Sequence, residues 1–289
     1  MAAVRTAKKW LLGREIAHMM AAAGVKQEEA GALLEIGQSK ISGLLKGAGN
    51  VSVGDLERLA NKLGFTDPDH HAVLFELRRD NNKRDFWSMG YRRAYREDFR
   101  LLIDLEQHAD RIRSVEVEVI PGLLQCESYV RALYADMAAQ DGLALDDHVQ
   151  ARMARQDILD KAAPPNMHFV LSESSLRRIW GDAAVMREQI NNLVKLSNRP
   201  NMMIQVMPFG APPGRRSPIG HRFVLVRVPS PGVAGPLELA YTEAVGEIRY
   251  LDDKDALTAH DLAWTRLTTA ALSFEDSRKF MRQVAREFR

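Results

Sequence analysis

The sequence predicts two domains of different class: an N-terminal all-α bundle of five helices over residues 1–79 and a C-terminal α+β domain over residues 96–289, joined by a bridging segment at 80–95. Three observations carry this expectation. From Leu12 to Arg79 apolar residues recur at helical spacing, and no β-branched alternating run there is long enough for a strand. Beyond Phe99, strand-like alternation such as Val115, Val117 and Val119 interleaves with helical stretches. Caps and breakers punctuate both regions at intervals that suit short elements.

In the N-terminal part, Leu12, Ile16, Met19, Met20 and Ala23 mark one helical face, and Gly24 supplies the stop. A second helix is expected over Gln27 to Leu34, with Ala30, Leu33 and Leu34 inward, and a third over Gln38 to Leu45, with Ile41, Leu44 and Leu45 inward. Only Glu35, Ile36 and Gly37 separate these two. Ser52 with Asp55 reads as a capping box that opens a fourth helix through Leu56, Leu59, Ala60 and Leu63. Asp67-Pro68 then places a cap and an N1 proline before a fifth.

The bridging segment carries Phe86, then Trp87, Tyr91, Tyr95 and Phe99 at four-residue spacing, which suits a helix whose ring face packs against a domain; a nucleic-acid stacking platform is the alternative. Beyond it, helices are expected at Leu101–Ile112, Ser128–Met137, Asp147–Asp160, Leu176–Trp180, Ala183–Leu196, Asp255–Leu272 and Glu275–Phe288. Strands are expected at Val115–Val119, Met167–Leu171, Met202–Met207, Arg222–Val228, Leu237–Thr242 and Ile248–Leu251. Phe209–Gly220 is a Gly/Pro-rich loop with Arg215-Arg216 at its centre.

With 46% hydrophobic and 27% charged residues, the 289-residue chain is neither disordered nor fibrous. A single cysteine, Cys126, excludes an internal disulfide and suits a reducing cytoplasm; beside a leucine-rich turn it is expected to be buried and inert rather than a redox sensor. The basic N-terminus has no apolar run behind it and does not read as a signal peptide. The net charge of +2 offers no whole-chain argument for nucleic-acid binding. It is unevenly spread: residues 1–95 hold 15 Lys/Arg against 11 Asp/Glu, and the remainder 25 against 27.

Two short helices joined by a tight turn, the second with small polar and basic residues outward, form the geometry that enters a DNA major groove. Here Gln38, Ser39, Lys40 and Ser42 face away from the apolar positions; Gln suits adenine, Lys suits guanine acceptors, and Ser serves bases or phosphates. Gln27, at the start of the second helix, is placed for a phosphate, and Lys46 for the backbone beyond the third. On the run Gln38-Ser39-Lys40-Ile41-Ser42, residues Leu12 to Gly64 resemble the helix-turn-helix of the xenobiotic-response-element (XRE) family. Three positions depart from that pattern: Glu35 stands where the turn usually has Gly, Gly37 replaces a capping Ser, and Gly43 replaces an outer polar residue. A non-glycine residue at Glu35 with positive φ would be strained.

The remainder, from about Tyr95, resembles the antitoxin-like effector domain of actinobacterial, WhiJ-like regulators. The residues that carry this are Glu106, Pro121-Gly122-Leu123-Leu124-Gln125 with Tyr129, Arg152 with Arg155-Gln156, Glu173 with Leu176, Met186 with Gln189, Gln205-Val206-Met207-Pro208, and Tyr241 with Glu243. The resemblance implies a homodimeric transcriptional regulator on double-stranded inverted-repeat DNA, often encoded beside a small partner protein, and does not imply a known ligand or a catalytic activity; with no nucleophile, metal or phosphate-loop motif in the sequence, neither a cofactor nor an enzyme activity is expected. An antitoxin-like protein that mainly binds its partner is the alternative. Arg152, Arg155, Gln156, Glu173, Gln205, Tyr241 and Glu243 are the polar residues that would line a small-molecule or partner site, or else satisfy one another as an internal network.

Residues that suggest other chemistry have plainer roles by sequence. Ser172, Ser174 and Ser175 around Glu173 lack the flanking glycines of a nucleophile elbow and read as a strand-to-helix junction with a Ser cap. His70-His71 point to different helix faces, which disfavours a metal, and Asp252, Asp253 and Asp255 suit a helix N-terminus.

Overall fold

A computed structural model of the chain describes residues 5–80, 90–210 and 219–289; Phe86, Trp87 and Arg215-Arg216 lie outside these. The five expected N-terminal helices are present as α1 (Ala7–Ala22), α2 (Gln27–Leu34), α3 (Gln38–Leu45), α4 (Val53–Lys62) and α5 (Pro68–Asp80). Helices α1, α4 and α5 start where side chains satisfy the free N–H groups of a first turn. The Thr6 hydroxyl accepts from Lys9 N at 3.2 Å, and the Ser52 hydroxyl accepts from Asp55 N at 3.0 Å while donating to its carboxylate at 2.7 Å. Asp67 Oδ1 accepts from Asp69 N beside the N1 proline. The apolar faces converge on one core of Trp10, Ile16, Met19, Ala30, Ile41, Leu44, Leu56, Leu59, Leu74 and Leu77, all buried.

This helical unit takes in two further pieces of chain that by sequence belong to the C-terminal domain: Leu101–His108, which is most of helix α6 (Arg100–His108), and Arg227–Leu237. Asp104 of α6 accepts the Ala7 amide at 2.6 Å, so α6 supplies a cap for the first turn of α1.

The second unit is α+β. Its strands are β1 (Arg111–Glu116), β2 (Asn166–Ser172), β3 (Met202–Met207), β4 (Phe223–Val228), β5 (Leu237–Ala244) and β6 (Glu247–Leu251), in one sheet of order β3-β2-β1-β4-β5-β6. The β1–β2 and β2–β3 pairs are parallel and β5–β6 is antiparallel. Helices α7 (Glu127–Asp141) and α8 (Leu145–Arg155) lie between β1 and β2 in sequence, and α9 (Glu173–Arg177) and α10 (Ala183–Leu196) between β2 and β3. The closing helices are α11 (Lys254–Ala270) and α12 (Phe274–Glu287). Val115, Val170, Phe223, Leu225 and Ala240 bury one sheet face with Trp264 and Leu267 of α11.

Five expectations change. The helix expected at Leu176–Trp180 lies instead at Glu173–Arg177, opened by the Ser172 cap, and the one expected at Asp147–Asp160 runs as α8 only to Arg155 and continues as a 3-10 turn, Gln156–Asp160. The helix expected at Leu101–Ile112 ends at His108, because residues from Arg111 onward pair with β2 and Ile112 becomes a buried strand residue. Val117 and Val119 fall beyond the ladder, whose last pair is Glu116 with Leu171. The four-residue ring repeat does not form one helix: Tyr95 is extended at φ −130° between two 3-10 turns, Tyr91–Ala94 and Glu97–Phe99. Tyr95 and Phe99 nonetheless stack at 6.1 Å, and the Tyr95 hydroxyl donates to Ala151 O at 2.8 Å, so these two rings pack within their own unit.

Candidate nucleic-acid interface

The α2–turn–α3 segment is built on a close backbone fit. After Leu34 the chain enters the left-handed region at Glu35 (φ 57°), the single non-glycine residue with positive φ among those described. Glu35 N donates to Ala32 O and Ile36 N to Gly31 O at 2.9 Å, which closes α2 with the bonding that a C′ glycine normally allows. Glu35 therefore carries the strain expected of it. Gly31 is the matching accommodation: a Cβ there would stand 2.6 Å from Ile36 O.

Gly37 caps α3 without a side chain. Ile41 and Leu44 are buried beneath α3, and Gln38, Ser39 and Lys40 are exposed above them. Ser42 is half-buried on the flank, and Lys46 is exposed at the C-cap. Gln27 is half-buried in the first turn of α2, beside Glu28 and Glu29; the Glu29 carboxylate accepts the Lys26 amide at 2.7 Å and so occupies one donor that a phosphate would use. Arg5, which periodicity alone does not single out, donates from Nε to Lys46 O at 3.0 Å and lies over the Trp10 ring at 4.1 Å, placing a second cation at the end of α3.

Gly43 is different from the other glycines of this region, because nothing stands within 4 Å of a Cβ built on it. Gly43→Ala is therefore expected to stabilise the chain by about 0.5–1 kcal/mol, the helix-interior penalty of glycine. Thermal denaturation of the variant beside the parent checks this, and a lowered midpoint would contradict it.

In the second unit the seven candidate effector residues separate into groups. Gln156 donates to Gly122 O and Gln125 O, and Gln205 pairs with His168 at 2.8 Å and donates to Leu272 O, so both hold backbone turns in place. Burial of the His168 ring lowers its pKa. Glu173 is held by Arg177 at 2.5 Å and by the Phe209 amide at 2.7 Å. Ser172 caps α9 through Ser174 N, and Ser175 donates to Ser172 O, as the junction reading expects.

Arg155, Tyr241 and Glu243 do come together, around two residues that were not singled out by sequence. Arg222 reaches Glu243 at 2.8 Å and the buried Glu116 at 3.2 Å, while the Tyr241 hydroxyl donates to Glu243 at 2.9 Å. Burial, with the neighbouring Glu243 carboxylate, pushes the Tyr241 phenol well above its usual range. The Arg155 guanidinium lies 5.1 Å from the Phe99 ring centre, and Phe99 meets Tyr241 edge-on at 5.9 Å. Arg152 bonds the Tyr134 hydroxyl, and both Arg152 and Arg155 crowd the space beside Gly122, where a Cβ would collide with them.

The remaining polar residues behave as local supports. Burial raises the Cys126 thiol pKa and disfavours a thiolate. His71 bonds Phe65 O at 2.7 Å, whereas His70 faces the opposite way toward Glu15. Among the described residues there is no cluster of three metal-ligating side chains, and no helix is long and apolar enough to cross a membrane.

Comparison with known families finds two matches. Residues 11–74 match a family model described as a helix-turn-helix domain, which makes the chain a DNA-binding regulator. No curated protein and no solved structure matches it. Residues 99–283, well over half of the chain, match the family described as a domain of unknown function, DUF5753, and the chain belongs to that family.

Proposed function

We propose that the protein is a sequence-specific transcription regulator of the XRE type that binds DNA as a homodimer. Two copies of α3 would enter successive major grooves of an inverted repeat, about 10 base pairs apart. The observation that carries this reading is the face of α3, where Gln38, Ser39 and Lys40 are exposed over buried Ile41 and Leu44. Gln27 and Lys46, with Arg5 beside Lys46, are read as phosphate contacts and Ser42 as a flank contact.

The DUF5753 domain is read as a WhiJ-like receiver, for a small molecule or a small partner protein, rather than as a catalyst. The support is that its serines and Glu173 are engaged in capping and turn bonds, while Arg155, Tyr241 and Glu243 form a charged knot with Arg222 and Glu116. Gln38→Ala and Lys40→Ala are each expected to cost about 1–3 kcal/mol of discrimination between the selected operator and random duplex, with the circular dichroism of the parent. Lys46→Ala is expected to weaken both duplexes alike and to flatten the salt dependence. Unchanged operator preference in a gel-shift titration of the α3 variants would refute the assignment.

A further inference from the structure

Glu15 is a carboxylate on α1 with 0% of its surface exposed, a state that charged side chains reach only with several partners. Its partners are the loop between β4 and β5. Oε1 accepts from Ala234 N at 2.9 Å and from the Ser230 hydroxyl at 3.4 Å; Oε2 accepts from Val233 N at 3.2 Å and lies 3.3 Å from His70 Nε2 on α5. The adjacent Arg14 donates to Ala234 O at 3.2 Å. Ser230 Oγ also accepts the Gly232 amide at 3.1 Å, which shapes the turn around the carboxylate. A Cβ on Gly232 would overlap both carboxylate oxygens of Glu15, so only glycine lets the loop close.

The same helix is fitted to the DNA-reading helix on its other side. Gly13, two residues before Glu15, lies against the carbonyls of Leu44 and Leu45 at the end of α3. Gly47, just beyond α3, is seated against the backbone of Lys9 and Trp10. Thus α1 has a loop clasped to one part of its surface through the Glu15 carboxylate and α3 packed on another, backbone against backbone at Gly13.

We infer that the Ser230–Ala234 clasp is the input of the DNA-binding unit: it holds α1, and through α1 the recognition helix α3, in the pose that reads DNA. Lifting the loop strips a buried carboxylate of its amide and hydroxyl donors, so the loop does not drift by small steps. It is either closed on Glu15 or released, the two-state behaviour that a transmitted signal requires. The inference rests on the DNA-binding reading, and two measurements on the full chain separate the two.

The probe is a duplex selected by the parent protein from a randomised library, with binding read by fluorescence anisotropy and the loop read by amide hydrogen exchange. In Glu15→Gln and Gly232→Ala, exchange at 230–236 should rise, and affinity for the selected duplex should fall roughly 10-fold, within the usual range of coupling between sites. Circular dichroism should stay that of the parent. Ser230→Ala, which removes one donor and no charge, should move both readouts in the same direction by less, and it serves if the stronger variants do not fold. Faster exchange with duplex affinity within about twofold of the parent would overturn the inference, as would unchanged exchange in all three. A parent that selects no duplex would overturn the DNA-binding reading itself.

Discussion

Gly13→Ala is expected to destabilise the chain by about 2–3 kcal/mol, although a glycine-to-alanine change inside a helix ordinarily helps by about 1 kcal/mol. The added Cβ would stand 2.5 Å from Leu44 O and 2.6 Å from Leu45 O, and both are backbone atoms that no rotamer change can move aside. Relief requires α1 to lift from the end of α3, which opens the core around the buried Trp10, Ile16, Ile41 and Leu44. Gly54→Ala in α4, where nothing lies within 4 Å of the new Cβ, supplies the control and should be neutral or stabilising. Urea denaturation of both variants followed by circular dichroism decides the matter. A Gly13→Ala midpoint at or above that of the parent would show that α1 and α3 are not in this contact.

Gly13 also illustrates what was legible in the sequence. The bounds of α2, α3, α10 and β3 follow from apolar period and punctuation alone, because those signals are local. The outward face of α3 follows in the same way, since burial of Ile41 and Leu44 leaves Gln38, Ser39 and Lys40 on the other side. Gly13, Gly31 and Gly232 carry no such local signal, and each is a place where backbone or a carboxylate passes too close for a Cβ. Glu15 reads as one more charge on a helix until the amides of Val233 and Ala234, more than two hundred residues away, are brought to it. The partners of the effector candidates are hidden from the sequence for the same reason. Gln205 pairs with His168 and Leu272, Gln156 with Gly122, and Arg155 sits with Glu116 and Arg222, and none of these pairings has a local period.

The charged knot in the DUF5753 domain yields the second large effect. Arg222→Met is expected to cost about 2–4 kcal/mol at neutral pH, because it removes the cation facing a buried acid. The value stays at the lower side of what buried pairs cost, since the Arg222 side chain is 35% exposed and water can follow its removal. The pH dependence has a definite sign. Burial raises the Glu116 pKa above its unfolded value, and Arg222 and the Ser114 hydroxyl pull it partly back. An acid whose folded pKa is raised binds its proton more tightly in the native state. Its contribution is therefore most favourable below the unfolded value, about 4.3, and is lost as pH rises toward the folded one. Removing Arg222 raises the folded value further and widens that window upward. The stability gap between parent and Arg222→Met should thus narrow steadily on acidification. Glu116→Gln added to Arg222→Met should recover much of the loss at neutral pH, because no buried charge is left without its cation. Recovery would stop short of the parent, since Glu243 also loses Arg222 and keeps Arg96 at 3.8 Å and the Tyr241 hydroxyl. Calorimetric unfolding of the parent, the two single variants and the double across the acid range measures the cycle. A gap that does not change with pH, or a double variant no more stable than Arg222→Met, would mean that Glu116 is not held as an ion by Arg222.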